Sequence, residues 1–433
     1  MALWMKSRLL VLWSKGADMI LSVPYGKDGK LEANIDEKNL SGIIEPNEVK
    51  IGDETEVIRQ ALANPIGSKS LSEFLKGAKD VLFIVNDPTR PTPTARVLDI
   101  IEKDFSGYPV SFIVATGVHR MPTEEEYIQI FSEKYYQKYK DRIVVHDGKK
   151  SECVFLGTSK NGTEMWVNKI GVDADRIVII SSVEPHYFAG YTGGRKSFLP
   201  GIASFKTIEQ NHKLALKREA CALKLEGNPV HEDMVDALGT VKKEIFTIST
   251  VLDKKHRIYA ATAGDIYKSM EAAVAKANEV FVANIPQKAD IVVSVVKFPS
   301  DIDLYQAQKG IDNAKYALKD GGILILVAKC RMGVGDESFV NLLSSASSPK
   351  DALSRIEKKF VLGWHKAAKM AEIGLWAQTW GVTDLDPKLL EGIFIRPFSS
   401  LQTAIDTALA EKGKDAKVLV LLDGSLTIPY VKE

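Results

Sequence analysis

The chain has 433 residues, with 57 Lys and Arg against 56 Asp and Glu, a formal net charge of +1, 45% hydrophobic and 26% charged residues. That length suits two or three domains with sizeable cores, and a near-zero charge excludes a dedicated nucleic-acid binder or a polybasic membrane binder. The three cysteines, Cys153, Cys221 and Cys330, are scattered, so there is no disulfide framework, zinc knuckle or CxxC motif, and a reducing cytoplasm is expected.

The opening MALWMKSRLLVLWSKGADM is broken by Lys6, Arg8, Ser14 and Lys15 and lacks a clean apolar region followed by a cleavage site. It reads as a short extension before a domain that starts near Ile20. VLFIV (81–85) reads as a buried strand and TARVLDIIEK (94–103) as an amphipathic helix. SFIVAT (111–116) is the next strand, residues 124–139 the next helix, and RIVIISS (176–182) a third buried strand. Such continuous apolar runs suit a parallel sheet covered on both faces. A second series begins with DIVVSVV near 290, then a helix over about 305–319 and a strand GGILILVA (321–328). Helices follow at 337–345, 350–359 and 364–373, and the last strand is KVLVLL (417–422). Alternating strands and helices predict an α/β fold with two α/β domains and mainly parallel sheets. The expected division is 1–280 for a larger N-terminal domain and 281–411 for a smaller C-terminal one, with 412–433 returning to the first. No run of 18 or more apolar residues occurs, so no transmembrane helix is expected.

In open α/β sheets, ligands bind beyond the carboxyl ends of strands. The first strand runs into Asn86-Asp87-Pro88-Thr89-Arg90-Pro91-Thr92-Pro93, where three prolines stiffen the backbone that presents Asp87 and Arg90. An Asp helix cap with a nearby ion pair explains that loop equally well. The second strand ends in Thr116-Gly117-Val118-His119-Arg120; a lone His there is more often structural than catalytic. The third runs into HYFAGYTGGRKSFLPGIASFKTIEQNH (186–212). A P-loop needs glycine directly before its lysine, and Arg195 stands there, with Gly190 one residue too late for the first glycine, which argues against a Walker-type site. Gly193 and Gly194 could still cradle a phosphate through backbone N–H groups. His146, His231 and His256 sit in polar stretches and read as surface residues.

These segments resemble the lactate racemase family, whose members use a nickel-pincer nucleotide. Four separated elements carry the resemblance: the DPTRP loop, the GVHR turn, the segment 186–212 with its lysine ten residues after the first histidine and its second histidine sixteen further, and DLYQAQKG (303–310). The resemblance implies a larger and a smaller α/β domain with the active site in the cleft between them. It implies that Lys196 carries pyridinium-3-thioamide-5-thiocarboxylic acid mononucleotide with Ni2+, that His212 is the protein ligand to nickel, and that His119 and His186 are the acid–base pair. It places Asp87, Arg90, Gly193 and Gly194 near the cofactor, and Arg90, Tyr305, Gln306, Lys309 and Trp364 near the substrate. His365, after Trp364, departs from the family pattern. Expected partners are a small 2-hydroxy acid and the proteins that make the cofactor, with no nucleic acid and no membrane.

The residue types suit that chemistry. Removing the C2 proton beside an ionised carboxylate would build a second negative charge. Moving the hydrogen as hydride avoids this, but no side chain accepts hydride, so a cofactor is required. Return to either face needs a proton acceptor on one side and a donor on the other, and histidine serves both near neutral pH. A cation such as Arg90 or Lys309 suits the carboxylate. Imidazole and sulfur ligation suits nickel, with the sulfurs supplied by the cofactor. A nucleotide-dependent dehydrogenase or phosphotransferase is the alternative, weakened by the absence of GxGxxG after the first strand. A non-catalytic nickel or cofactor carrier would need only Lys196 and His212.

Overall fold

A computed structural model describes residues 11–13 and 18–432. The chain forms two compact units, one of Glu48–Val280 and one of Met1–Asn47 with Phe281–Glu433. No helix among the described residues is long and apolar enough to cross a membrane.

The 48–280 unit is built on a six-stranded sheet ordered 258–264, 244–252, 176–182, 81–86, 110–115, 143–145. Every pairing is parallel except that of Ile258–Gly264 with Glu244–Leu252. Residues 81–85 and 177–182 are all buried, as covering helices require of a parallel sheet. One covering helix, Thr94–Phe105, buries Val97, Leu98, Ile101 and Phe105 at helical spacing. Another, Glu124–Tyr139, starts with a capping box between Thr123 and Glu126, which satisfies two of its first amides. Phe83 and Phe112 stack at 5.1 Å between these helices. From Val81–Asn86 the chain winds outward one way through 110–115 and 143–145. It then crosses to 176–182 on the other side. The switch point therefore lies between the strand ends at Asn86 and Ser182, where a crevice opens in doubly wound sheets.

The other unit has six parallel strands ordered 395–398, 378–382, 318–327, 289–295, 418–421, 40–44. A hairpin of Asp18–Tyr25 and Gly29–Asp36 covers one face. Its alternate residues Met19, Leu21, Val23, Ala33 and Ile35 pack with Ile291, Val293, Ile323 and Trp380, the period-two pattern of a strand pair with one face inward.

Two features correct the expected division. The described residues up to Asn47 belong with the C-terminal segment, because the hairpin covers that sheet and Leu40–Ile44 forms its edge. The final strand also stays there: Val418–Leu421 pairs with Ile291–Ser294, and Ile428–Val431 pairs with Val282–Ile285. An apolar run predicts a strand, but its partner is chosen by contacts across hundreds of residues. The expected helix over 305–319 is shorter. It runs Leu304–Ala314, and the next strand begins already at Leu318. Of the N-terminal extension, residues 1–10 and 14–17 lie outside the described residues, and Val11–Trp13 pairs with Met19–Leu21.

Candidate active site

The loop after Val81–Asn86 ties three neighbouring strand ends together. Asp87 is buried and its carboxylate lies 2.6 Å from His119 Nδ1. It also accepts from Thr89 Oγ1 at 2.7 Å. Burial opposes its ionisation, but the bonds and charges of His119, Thr89 and Arg90 win and hold its carboxyl below the usual range. On the other side, Arg90 Nη1 pairs with Glu184 Oε1 at 2.5 Å, and Thr92 Oγ1 bonds Asn86 and Ser182 at 2.8 and 2.9 Å. The DPTRP loop therefore spans the switch point, holding the His119 turn with Asp87 and the start of the His186 segment with Arg90.

His119 is 47% exposed at its side chain, and its turn is fixed by His119 N–H to Thr116 O at 2.9 Å and Gly117 N–H to Gly201 O at 2.9 Å. His186 starts a short hairpin, paired with Gly190, and its Nδ1 accepts the Ala189 N–H at 3.3 Å. Phe188 is the hub of this region. Its ring centroid is 4.5 Å from that of His186, 5.0 Å from that of His212, and 5.5 Å from Lys196 Nζ. Asn228, fully buried, donates to Phe188 O at 2.9 Å and fixes that backbone. The sequence reading quoted Phe188 within the motif and assigned it nothing; three chemically loaded residues around one aromatic is a relation of space, not spacing.

Lys196 sits in a short 3-10 helix, Gly194–Ser197. Its side chain is partly accessible yet densely surrounded. Burial, then the positive charges of Arg195 and Arg90, hold its amine well below the usual lysine range. Among the described residues it has no carboxylate partner. Arg195 supports the turn from beneath. It is fully buried and donates to Ala189 O at 2.8 Å, Tyr191 O at 3.0 Å and Gly193 O at 3.4 Å. Burial pushes its guanidinium down to about 9. Carbonyl oxygens, not a carboxylate, are its counterparts, so it staples the loop rather than meeting a ligand. Gly193 has φ +87°, and a Cβ there would lie 2.6 Å from Val183 Cγ2. The Gly194 N–H is used inside the fold, on Ser181 Oγ at 3.3 Å. Close packing accounts for both glycines, Gly193 against Val183 and Gly194 against Ile266, whose carbonyl oxygen would lie 2.9 Å from an added Cβ.

His212 ends the helix Phe205–Lys213, capped by Ser204. It is 8% exposed, and its Nδ1 lies 3.2 Å from Asn211 Oδ1. Among the described residues no three His, Cys, Asp or Glu gather to hold a metal ion. A metal at His212 would therefore need donors from another group.

Two histidines correct the expectation of surface positions. His146 is 1% exposed, with Nε2 on Ala203 O at 2.8 Å and Nδ1 on Asn168 Nδ2 at 3.0 Å; it anchors the chain that follows Lys196. His231 is half-buried, and burial with the charge of Arg195 lowers it to about 3. A polar neighbourhood in sequence did not reveal partners so far along the chain. His256 is exposed, as expected.

The remaining residues singled out lie on the other unit. Tyr305, Gln306 and Lys309 are half-buried on the helix Leu304–Ala314, capped by Asp303, which accepts from Gln306 N at 2.7 Å. Tyr305 and Lys309 are one turn apart and share a face. This helix follows Ala289–Val295, the strand at that sheet's own switch point. Trp364 opens the helix Trp364–Gly374, and His365 and Lys366 beside it are buried. Lys366 Nζ donates to Tyr305 O at 2.6 Å and lies 4.0 Å over the Tyr305 ring. The structure thus brings the Trp364 helix onto Tyr305.

Comparison with known proteins agrees over nearly the whole chain. Residues 25–223 match the lactate racemase N-terminal domain model and 282–428 the C-terminal domain model. The chain is 32% identical to the lactate racemase of Thermoanaerobacterium thermosaccharolyticum, over 93% of this chain and 97% of that protein. It is equally 32% identical to the lactate racemase of Lactiplantibacillus plantarum, over 93% of this chain and 98% of that one. The lactate racemase apoprotein from the Thermoanaerobacterium species superposes with a TM-score of 0.88 over 95% of this chain and 100% of that one. A Thermotoga maritima protein at 18% identity shares the fold, with a TM-score of 0.65, 89% of this chain and 100% of that chain covered. The chain belongs to the lactate racemase family.

Proposed function

We propose that this protein is a racemase that inverts the C2 carbon of a 2-hydroxy acid, with lactate the first substrate to test. The observation that carries this reading is that both histidines are held at Nδ1, His119 by the Asp87 carboxylate and His186 by the Ala189 N–H. Asp87 accepts from His119 Nδ1, so neutral His119 keeps its proton on Nδ1 and presents a lone pair at Nε2. A backbone N–H donates to His186 Nδ1, so neutral His186 keeps its proton on Nε2. His119 is thereby set up as a base, and His186 serves as the acid when its ring is protonated.

In one direction His119 Nε2 takes the substrate's hydroxyl proton and a planar 2-keto acid results. When bound, a nickel-pincer nucleotide would supply the hydride acceptor and donor. Protonated His186 gives a proton from Nε2 to the carbonyl oxygen for the opposite configuration. The other enantiomer starts from the exchanged protonation states, with His186 neutral and His119 charged. Asp87 holds the His119 ring in place and stabilises its charged form after proton uptake, as the carboxylate of a catalytic triad does. Arg90 has one nitrogen on Glu184, and its remaining donors are available for the substrate carboxylate. Tyr305, Gln306, Lys309 and Trp364 are proposed as further substrate contacts.

The residues fit the cofactor. Lys196 has a depressed amine and, among the described residues, no carboxylate partner, which suits it to acylation as a neutral nucleophile. His212 offers an imidazole, and among the described residues no cluster of three His, Cys, Asp or Glu gathers to hold a metal. Proteins of the cofactor's biosynthesis are then implied as partners, and the cytoplasm as the compartment. The test uses protein from its native host. Peptide mapping should find a nucleotide-derived adduct on Lys196, and a panel of 2-hydroxy acids should show inversion. An unmodified Lys196, or no inversion of any hydroxy acid by adduct-bearing protein, would overturn the reading.

A further inference from the structure

Two arginines flank the Asp87 carboxylate, and each is held by a different carboxylate. Arg90 belongs to the same turn, with its N–H on Asp87 O at 3.2 Å, and its charge reaches the Asp87 carboxyl. Its guanidinium nevertheless pairs with Glu184, 94 positions along the chain, at 2.5 Å. Arg120, next to His119, also feels the Asp87 charge, and it lies on both Glu126 oxygens at 2.7 and 2.6 Å. The two pairs differ in exposure. The Arg120 side chain is 66% exposed, so water screens its charge. The Arg90 and Glu184 side chains are only 22% and 12% exposed, so a charge left unpaired there keeps its pull. Glu184 is also rigidly placed. Its N–H donates to Thr192 Oγ1 at 2.9 Å, and its carbonyl accepts the Thr192 N–H at 2.8 Å. Thr192 Oγ1 in turn donates to Ser182 O at 3.0 Å.

We infer that Glu184 is a positioning residue that holds Arg90 away from Asp87 and so reserves the Asp87 carboxylate for His119. The inference rests on reading His119 as the proton acceptor, and it adds the residue that keeps its partner available. The competition is set by the lone pairs of one carboxylate. Asp87 Oδ1 already takes the Thr89 Oγ1–H at 2.7 Å and the Thr89 N–H at 3.2 Å. An oxygen has two lone pairs, so the place left for a guanidinium is Oδ2, the oxygen that His119 Nδ1 uses at 2.6 Å. Lys196, whose amine also feels Arg90, offers no counter-charge. Without Glu184, Arg90 would turn to Asp87 Oδ2, neutralise the carboxylate and release the His119 ring, whose isolated form favours the Nε2–H tautomer. Removing Arg90 as well should undo that loss. A merely structural role of Glu184 would not be undone in this way.

The experiment is nitrogen NMR of histidine-labelled apoprotein with neutral rings, the His119 ring being assigned by its loss in His119→Gln. Wild type should carry the proton on Nδ1, and Glu184→Ala should shift the ring toward Nε2–H. Adding Arg90→Met to Glu184→Ala should return the wild-type pattern. A folded Glu184→Ala with an unchanged ring would overturn the inference, and so would a double variant whose ring stays shifted. Arg90→Met alone should match wild type; a shift there would make Arg90 itself the support of the ring and also overturn it. Should Glu184→Ala not fold, Glu184→Gln asks the same question, since its amide keeps the shape without the charge, and the same outcomes decide. On cofactor-loaded protein, Glu184→Ala should lower kcat by about 10-fold or more, as expected when the ring nitrogen that must act carries the proton. Full kcat with only KM raised would assign Glu184 to substrate binding and overturn the inference. The two readings fail separately, because the ring patterns need no turnover. Wild type that inverts no hydroxy acid would remove the proposed reaction and leave the NMR to decide what Glu184 does.

Discussion

The two α/β units use the same architectural device in different ways. Each has a parallel sheet with a switch point, and each places its distinctive residues just past a strand end there. In the 48–280 unit the groups are ionisable and already paired inside the unit, as Asp87 with His119 and Arg90 with Glu184. In the other unit they lie on a helix rather than a loop, and the central contact is Lys366 on the ring and carbonyl of Tyr305. Loops held by ion pairs fix proton positions, and a helix face fixes shape. Under the proposed function, the first unit would carry the chemistry and the second the selectivity.

Substitutions can break that division. His119→Ala and His186→Ala should each lower kcat by about 10²–10⁴-fold, the range for removing a general acid or base, measured by polarimetry in both directions. Activity surviving either change would end the two-base mechanism. Asp87→Asn keeps the shape but lets the wrong ring nitrogen carry the proton, so kcat should fall by about 10²-fold or more while nickel and the Lys196 adduct stay in place. Tyr305→Phe and Lys309→Met should act chiefly on KM, on the order of 10-fold, and should change the ranking of hydroxy acids. A kcat loss as large as that of the histidines would erase the distinction between the units.

The smallest effect is on stability. Asp87 has a folded pKa below its unfolded value, so its pairing stabilises the protein above the unfolded value near 4 and is lost as pH falls through the lower folded value. Asp87→Asn should therefore flatten the acid limb of a plot of Tm against pH. Lys196 behaves in the opposite sense to an ion-paired lysine. Its folded pKa is depressed, the unfolded chain binds more protons, and stability rises with pH up to the unfolded value. Lys196→Met should stabilise the apoprotein at pH 7 by about 1 kcal/mol and by less at pH 10.

The strands that form the centre of both sheets were legible in the sequence because they are long apolar runs buried on both faces. The hairpin Asp18–Tyr25 with Gly29–Asp36 was not, since its inward face is only every second residue and its partner sheet lies some 270 positions on. The site was legible wherever a motif concentrated rare residues, as in His186, Lys196 and His212. What stayed hidden was pairing at a distance: Asp87 with His119, Arg90 with Glu184, and Phe188 amid its three neighbours. The family resemblance supplied roles for residues, but hydrogen bonds supplied their protons.

The strand Leu40–Ile44 lies beside Val418–Leu421, with the whole of residues 48–280 threaded between them in the chain. During synthesis this separation sets an order of events. The 48–280 segment is continuous and has every strand of its sheet once Gly264 has emerged, so it can fold on the ribosome as a unit. The other sheet must wait, since the strand joining its early and late parts is among the last made. Its N-terminal hairpin spends that interval with Leu21, Val23 and Ile35 uncovered. The long closure makes its sheet the slower of the two to form.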